Sequence, residues 1–456
     1  MSTLSNYAEV LKVFYLPGIQ DYLNQSTILS SIVETNEKDV SGKTATIENH
    51  YGRSTGTGAV GDGGALMSAS YQKFKTSTVP MKYVYGRVNF TGPTIAATRD
   101  EKGAYAKVID TEVRGITEDL RKEVNRMLWG CGYGVLARWQ TGVSASITVQ
   151  KKYRGNSVGG DGFGSAFGAK YLDKRTDGYQ CKPTISGNNS GTYTITATDI
   201  AVTALTKGAT ADTITITDVG TPAAGTWYVR PKGLAAQSTT TGASNRTEPM
   251  GLRGLVNDGN IDKIAIFNAS YTGTTGSDHL QGLSVSSYSW FKAIVDAHPS
   301  GRYAGQRALT LDLMQTMFDM VEEVAGKDYG PNLILTTRAM RRQYLALCQA
   351  SATTVNKMAL DGGWTALDYN GVPLMVDNDA IDGEIYFLTT KDMQIYRMSD
   401  YNWMDQDGAI LSRISGYDKY EAVLFRYFEF GVNNRANQGV LCDLAYSKGL
   451  NEGYGG

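Results

Sequence analysis

Apolar positions along this chain change period from segment to segment, and the changes divide it. Between Asp100 and Trp129, Val108, Ile109, Val113, Ile116, Leu120, Val124, Met127 and Leu128 recur at steps of three and four, which predicts one long amphipathic helix. Its other face is charged, and Asp110 with Arg114 and Glu118 with Lys122 stand four apart with the acid first, the better order for helical pairs. At 1.5 Å per residue the segment makes a rod of roughly 40 Å. Gly130-Cys131-Gly132 is placed to end it. Ahead of the rod, Thr44 to Tyr51 has the β-branched and aromatic content of a strand, the glycines at 56, 58, 61, 63 and 64 predict a mobile loop tip, and a second extended run covers Ser70 to Phe90. The two runs together predict a long two-stranded arm.

Beyond the rod, Gln140 to about Thr247 is rich in Gly, Thr, Ser and Ala. Short alternating runs at Thr192–Thr196, Ile200–Val202, Thr213–Thr217 and Trp227–Val229, separated by Gly-rich turns, predict a small antiparallel module inserted into the chain. Leu309 to Ala325 is again amphipathic, Pro331 to Thr337 reads as a buried strand and Arg338 to Cys348 as a further helix. Strands return at Val372–Val376, Ile385–Leu388 and Gln394–Tyr396, with a long run from Tyr420 to Phe430. Residues 1 to 40 hold too few apolar side chains to fold alone and read as an arm, broken at Pro17-Gly18.

Composition narrows the classes. With 456 residues and 41% of them apolar, the chain can bury substantial cores. A formal net charge of -1 is far from the basic balance of a protein that grips nucleic acid through its phosphates, so any DNA contact is expected to be weak and local. The charge is unevenly spread: from Gly63 to Arg99 there is no Asp or Glu, while Lys73, Lys75, Lys82, Arg87 and Arg99 fall inside. No basic stretch followed by an apolar core opens the sequence and no apolar run approaches a bilayer span, so a cytosolic site of synthesis and no membrane are expected. Cys131, Cys181, Cys348 and Cys442 lie too far apart for a metal ribbon and are expected reduced and packed.

Catalytic patterns fail one by one. Gly56-Thr57-Gly58-Ala59-Val60-Gly61 matches a dinucleotide fingerprint in letters, but Asp62-Gly63-Gly64 follows where a helix must begin. Gly42-Lys43-Thr44 lacks the glycine a phosphate loop needs five residues earlier, where Glu37 stands. Asp377, Asp379, Asp382 and Glu384 form an acidic cluster able in principle to hold a hard cation, yet Ile381 interrupts the ligand alternation, and a solvated turn between strands is the expected role. His50, His279 and His298 have no partner at ligand spacing. No enzyme activity, cofactor or metal is expected.

The order of these segments resembles the major capsid proteins of tailed bacteriophages, with the Hong Kong 97-type fold. Three stretches carry the resemblance beyond the order itself: Asn125-Arg126-Met127-Leu128-Trp129-Gly130 at the end of the rod, Glu248-Pro249-Met250-Gly251-Leu252-Arg253-Gly254-Leu255 after the insertion, and Leu333-Ile334-Leu335-Thr336-Thr337 with Gly371-Val372-Pro373-Leu374 later. The resemblance implies an α+β fold with an N-terminal arm (1–40), an extended loop (41–95), the spine helix of a peripheral domain (96–140), a β-rich insertion (141–247), a connection (248–304), an axial domain (305–409) and closing peripheral strands (410–456). It implies a structural subunit that self-assembles as hexamers and pentamers into an icosahedral shell around a double-stranded DNA genome, located in the virion and, during assembly, the host cytoplasm. Scaffolding protein, portal and a decoration protein are the further partners it implies.

In such a subunit the side chains expected at contacts between copies are Arg53, Lys73, Lys75, Lys82, Arg87, Arg114, Glu118 and Lys122, with the basic strand from Lys73 to Arg87 facing acidic surface on the next copy. Some members of the family lock neighbours by a Lys–Asn isopeptide bond, for which Lys73 or Lys75 with Asn433 or Asn434 are the participants available; ordinary rim contacts are the expected role. The competing readings are a β-rich carbohydrate-binding or adhesin-like surface protein of a virion, with Trp227-Tyr228 as its candidate aromatic site or, more simply, the insertion's core, and a tail or baseplate component.

Overall fold

The computed structural model of the chain describes residues 28–93, 102–132, 134, 248–259, 279–300, 302, 306–326, 329–350, 357–359, 365–377, 379–381, 383–405, 410 and 412–445, together with strands at 137–139, 146–150, 179–182, 184–186, 193–195, 200–207, 211–216 and 227–231. A short helix α1 (Ile28–Ile32) and strand β1 (Glu34–Asn36) lead to β2 (Val40–Ser41), a turn through Gly42, and β3 (Thr44–Gly52). β3 pairs antiparallel with β4 (Lys73–Pro80), from Thr44 opposite Pro80 to Gly52 opposite Lys73. β5 (Lys82–Thr91) does not continue this hairpin: past Met81 the chain joins a different sheet. The second extended run is therefore two strands in two sheets, and the arm is shorter than its sequence pattern suggests.

The rod forms as expected, as α2 (Lys102–Trp129), 28 residues long. Val113, Leu120, Val124, Met127 and Leu128 of the apolar stripe are buried and Ile116 packs against the same core, while the side chains of Val108 and Ile109 lie outside the described residues. The insertion contributes β6 (Ala137–Trp139), β7 (Ser146–Gln150), β8 (Tyr179–Lys182), β9 (Thr184–Ser186), β10 (Tyr193–Ile195), β11 (Ile200–Lys207), β12 (Ala211–Ile216) and β13 (Trp227–Pro231). Six of them form an antiparallel sheet in the order β6-β13-β8-β11-β12-β7, and β9 pairs with β10. Because β6 pairs with β13, this sheet draws in residues that precede 141. The side chains of Trp227 and Tyr228 lie outside the described residues.

After the insertion come α3 (Leu252–Leu255), β14 (His279–Leu280), β15 (Leu283–Ser284) and β16 (Ile294–Asp296). The helix–strand–helix unit is α4 (Leu311–Ala325), β17 (Leu333–Thr336) and α5 (Arg338–Ala350), and Thr310 caps α4 by accepting the Leu313 N–H at 3.1 Å. The remaining strands are β18 (Lys357–Ala359), β19 (Thr365–Tyr369), β20 (Val372–Val376), β21 (Ile385–Leu388), β22 (Met393–Trp403), β23 (Ser412–Arg413), β24 (Lys419–Val432) and β25 (Gly439–Leu441). Asn370 and Gly371, both at positive φ (52° and 79°), make the two-residue turn between β19 and β20.

Two sheets organise the core. The 14-residue β24 is the spine of the first: β5 runs along one edge from Lys82 opposite Phe428 to Thr91 opposite Lys419, and β22 and β23 line the other, with β1 parallel to β22. Val84, Val88 and Phe90 of β5 enter the same apolar cluster as the buried stripe of α2. The second sheet is mixed, in the order β16-β25-β21-β17-β20-β19-β18. Strand alternation sends Ile334, Leu374, Ile385, Phe387 and Leu441 toward α4 and α5, and Leu333, Leu335, Met375, Tyr386 and Leu388 into the cluster that holds the end of α2. Both faces are thus covered, which is why β17 and β21 read as continuous apolar runs rather than alternating ones. At Gly439 an added Cβ would stand 2.6 Å from Val321 Cγ2 and 2.8 Å from Met317 Sδ, so α4 lies directly on β25.

Candidate assembly surfaces

The C-terminal end of α2 is where three distant parts of the chain meet, and polar groups make the joint. Arg126 is buried and its guanidinium pairs with Glu123 at 2.6 Å and with Glu248 at 2.5 Å. Burial alone would lower its pKa, but the two carboxylates outweigh it and hold it well above its ordinary value. Asn125, one position earlier, donates to Asp377 at 3.2 Å and to Asp379. Trp129 packs edge-on against Tyr386 with ring centroids 5.6 Å apart. The segment from Glu248 then crosses the helix end so closely that a Cβ on Gly251 would lie 2.5 Å from both Gly130 N and Met127 O. The Asn-Arg pair and the Glu-Pro-Met-Gly stretch are two halves of one contact.

A second buried ionic group adjoins the first. Glu384 is fully buried and receives Arg302 at 3.0 Å, Arg253 at 3.5 Å and the Tyr386 hydroxyl at 2.6 Å. Burial pushes its carboxyl up, and the two guanidiniums and the hydroxyl together bring it below the usual carboxylate range. Asp377 goes the other way: burial raises it, and the backbone N–H of Asp379 and the Asn125 amide only partly offset that. Arg435 is fully buried as well and donates to the carbonyls of Leu255, Phe291 and Gly254 at 2.7, 3.2 and 3.2 Å. The acidic stretch from Asp377 to Glu384 is therefore not a solvated turn. Two of its carboxylates are structural and buried, and Asp382 lies outside the described residues. The partners that decide this, at 125, 253 and 302, are remote in sequence, which hid them from local reading.

The β3–β4 hairpin has the opposite character. Its base is closed: Ala45 and Val79 are buried with Met81 and Tyr396, Asn49 donates to Ser77 Oγ at 3.0 Å, and the Thr78 N–H donates to Gln281 O at 2.8 Å. Tyr51 stacks on Trp290 at 5.2 Å, and Lys75 Nζ sits 5.2 Å over the Tyr288 ring. Toward the tip that cover ends. Leu66 is 89% exposed, Tyr71 85% and Phe74 63%, with Met67 and Val60 also open. Large apolar side chains left open to solvent are thus gathered toward this end of the hairpin.

The expected contact residues fall into three groups. Arg53, Lys73 and Lys75 are exposed on the hairpin. Lys82 and Arg87 lie on β5, in the other sheet, so the basic strand from Lys73 to Arg87 is not one surface; Arg87 is moreover paired within its own chain, with Glu421 at 2.5 Å. Arg114 and Lys122 are exposed on α2, and the side chain of Glu118 lies outside the described residues. Of the asparagines considered for a covalent lock, Asn433 accepts from the Tyr396 hydroxyl at 2.7 Å and Asn434 caps a turn by accepting the Ala436 N–H at 3.1 Å. Among the described residues there is no group of three or more His, Cys, Asp or Glu side chains able to hold a metal ion, and no helix long and apolar enough to cross a membrane.

No protein-family model matches this sequence, and no curated protein matches it. Solved structures do. The capsid asymmetric unit of cyanophage A-1(L) matches with a TM-score of 0.53 at 11% identity, over 92% of this chain and 93% of that one. A capsid of the native GTA particle (TM-score 0.41, 10% identity, 91% and 90% covered) and a chain of Mycobacterium phage Adephagia (TM-score 0.41, 11% identity, 93% and 92% covered) are further matches. The first likeness fixes the fold: the chain has the α+β fold of a phage capsid protein, as the order of its segments predicts.

Proposed function

We propose that this chain is a major capsid protein that builds an icosahedral shell around a packaged double-stranded DNA genome. The observation that carries the reading is the likeness, over nearly the whole of both chains, to a phage capsid subunit. The hairpin supports it. Exposed Leu66, Tyr71 and Phe74 on an element whose base is fixed to its own subunit give each copy a surface that a neighbour can cover. Hexamers and pentamers closed by rotation let one patch meet a different patch on the next copy, and each subunit then both gives and receives an arm. The arm, spine, insertion, axial and peripheral divisions expected from the sequence are the working parts of this proposal, as are Arg53, Lys73, Lys75, Lys82, Arg87, Arg114, Glu118 and Lys122 as rim contacts. Scaffolding protein, portal and decoration protein are further partners, and the near-neutral subunit would touch packaged DNA weakly. Its place is the virion capsid, reached from the host cytoplasm, and the role needs no catalytic group.

Sedimentation with negative-stain electron microscopy of the purified chain, expressed with and without its neighbouring genes, tests the reading. Closed shells, or rings of five and six, are the expected outcome. A uniform monomer or small dimer in every condition overturns it.

A further inference from the structure

Asp377 and Asp379 stand at alternate positions of the turn that follows β20, the spacing at which carboxylates converge on the cation in calcium loops. In such a loop the next alternate position supplies another oxygen; here it is Ile381, which is buried in the apolar cluster that holds the end of α2. A third polar group nevertheless arrives, from another element. Asn125 on α2 directs its amide at both carboxylates: Nδ2 lies 3.2 Å from Asp377 Oδ1 and also contacts Asp379 Oδ2. The Asp379 N–H donates to Asp377 Oδ1 at 2.8 Å and folds the turn, so that the two carboxylates meet at this point.

That arrangement leaves two needs unmet. Asn125 and Asp377 are only 7% and 4% exposed, and Asn125 Oδ1 is buried without a hydrogen-bond partner among the described residues. A buried acceptor with no donor is costly. Asp377 also lacks a cation: among the described residues no Lys or Arg pairs with it, and Arg126, the residue next to Asn125, is taken by Glu123 and Glu248. One change answers both. The oxygen and nitrogen of an amide have nearly the same shape, so a half-turn of the Asn125 side chain about its terminal torsion puts Oδ1 in the place of Nδ2, facing the two carboxylates. Three oxygens from two elements then surround one point.

We infer that Asn125, Asp377 and Asp379 form a site for a hard divalent cation of the calcium class, which clamps the C-terminal end of α2 to the turn after β20. Donors that are all oxygen, two of them charged, select a hard cation over zinc or copper, and a turn whose remaining positions water can fill suits the loose shell of calcium. Two carboxylates are few for such a site, which sets the dissociation constant at about 10⁻⁴ to 10⁻³ M. The ion is held within one subunit, between residues 252 apart in sequence, so the inference stands independently of shell building.

The test uses the full-length, unassembled subunit, stripped with EDTA and then titrated with calcium chloride. The thermal midpoint of the wild type is expected to rise with calcium and to saturate, because an ion bound only by the folded state stabilises it. Terbium, a hard stand-in for calcium, gives a direct reading: excited through Trp129, one turn beyond Asn125 on the same face of α2, it should luminesce and be displaced by calcium. Asp379→Asn and Asn125→Ala are each expected to weaken calcium binding at least about tenfold, while Glu323→Gln, which changes an exposed carboxylate elsewhere, leaves it unchanged. Melting in EDTA establishes that each variant folds. A wild-type midpoint that is the same in EDTA and in about 10 mM calcium, with no saturable terbium signal, overturns the site. So does a terbium signal that neither Asp379→Asn nor Asn125→Ala reduces. Neither result bears on shell building, which sedimentation tests separately.

Discussion

The joint at the end of α2 and the tip of the hairpin are inversions of each other. At the joint, charged groups are inside: Arg126, Glu248, Arg253, Glu384 and Arg435 are buried, tied together by partners more than 100 residues apart in the chain, as Arg126 and Glu248 are. At the hairpin, apolar groups are outside: Leu66, Tyr71 and Phe74 face solvent. For a chain that folds for itself alone, buried charge left unpaired and exposed apolar surface are each costly. The joint settles most of its cost within one subunit, by giving each of these charged side chains a partner among α2, the segment after the insertion and the second sheet. The hairpin leaves its cost unsettled within the subunit, and on the proposed function a neighbouring copy settles it. Rigidity at the one and incompleteness at the other suit a subunit whose body must hold shape while its arm finds a neighbour.

Breaking the joint should have the larger effect. Glu384→Ala removes the carboxylate from Arg253 and Arg302 and leaves two guanidiniums in a fully buried site. Removing one member of a buried pair costs about 3–5 kcal/mol, so the urea midpoint of the unassembled subunit should fall accordingly. A midpoint unchanged from wild type would mean that the ionic group is not what holds the segment after the insertion to the second sheet.

The hairpin should respond in the opposite sense. Tyr71→Ser with Phe74→Ser changes exposed positions, so the stability of the free subunit is expected to move by no more than about 0.5 kcal/mol. Assembly should suffer, since burying two such side chains in an interface is worth about 3 kcal/mol in all, or more than a hundredfold in the concentration at which shells sediment. A variant that unfolds earlier but assembles normally would erase the contrast between the two regions.

Most of this architecture is written locally, and the exceptions have a common cause. The stripe of α2, the helix–strand–helix unit and the turn at Asn370-Gly371 each depend on spacing or on one backbone conformation, so neighbouring residues suffice. The extended run from Ser70 to Phe90 shows no change of period at Met81, and what separates β4 from β5 is a partner strand more than 300 residues later. Two local marks of that break are Pro80, which cannot donate to a ladder, and the slip of the apolar positions from odd (Val79, Met81) to even (Val84, Val88, Phe90). Asp377 and Glu384 have the composition of a polar turn, and their burial follows from Asn125, Arg253 and Arg302. Of the assembly surfaces, the acid-free charge of the arm was legible, and the division of that charge between two sheets was not.

The smallest effect, and the sharpest on the joint, separates its two carboxylates by pH. Glu384 has its folded pKa below the ordinary value, so its contribution to stability is present above that value and lost as pH falls through the folded pKa. Asp377 has its folded pKa raised, so the folded state binds its proton more tightly; this favours folding at low pH, and the favour is lost as pH rises from the ordinary value through the raised one. In Asp377→Asn that second term disappears, while the amide oxygen still accepts from Asn125 and from the Asp379 N–H. The variant should therefore gain on wild type as pH rises above the ordinary carboxylate range, in urea titrations of the unassembled subunit. The acid limb set by Glu384 should stay where it is. If the substitution shifts both limbs together, the two carboxylates act as one coupled group, and the joint is a single network rather than two adjoining ones.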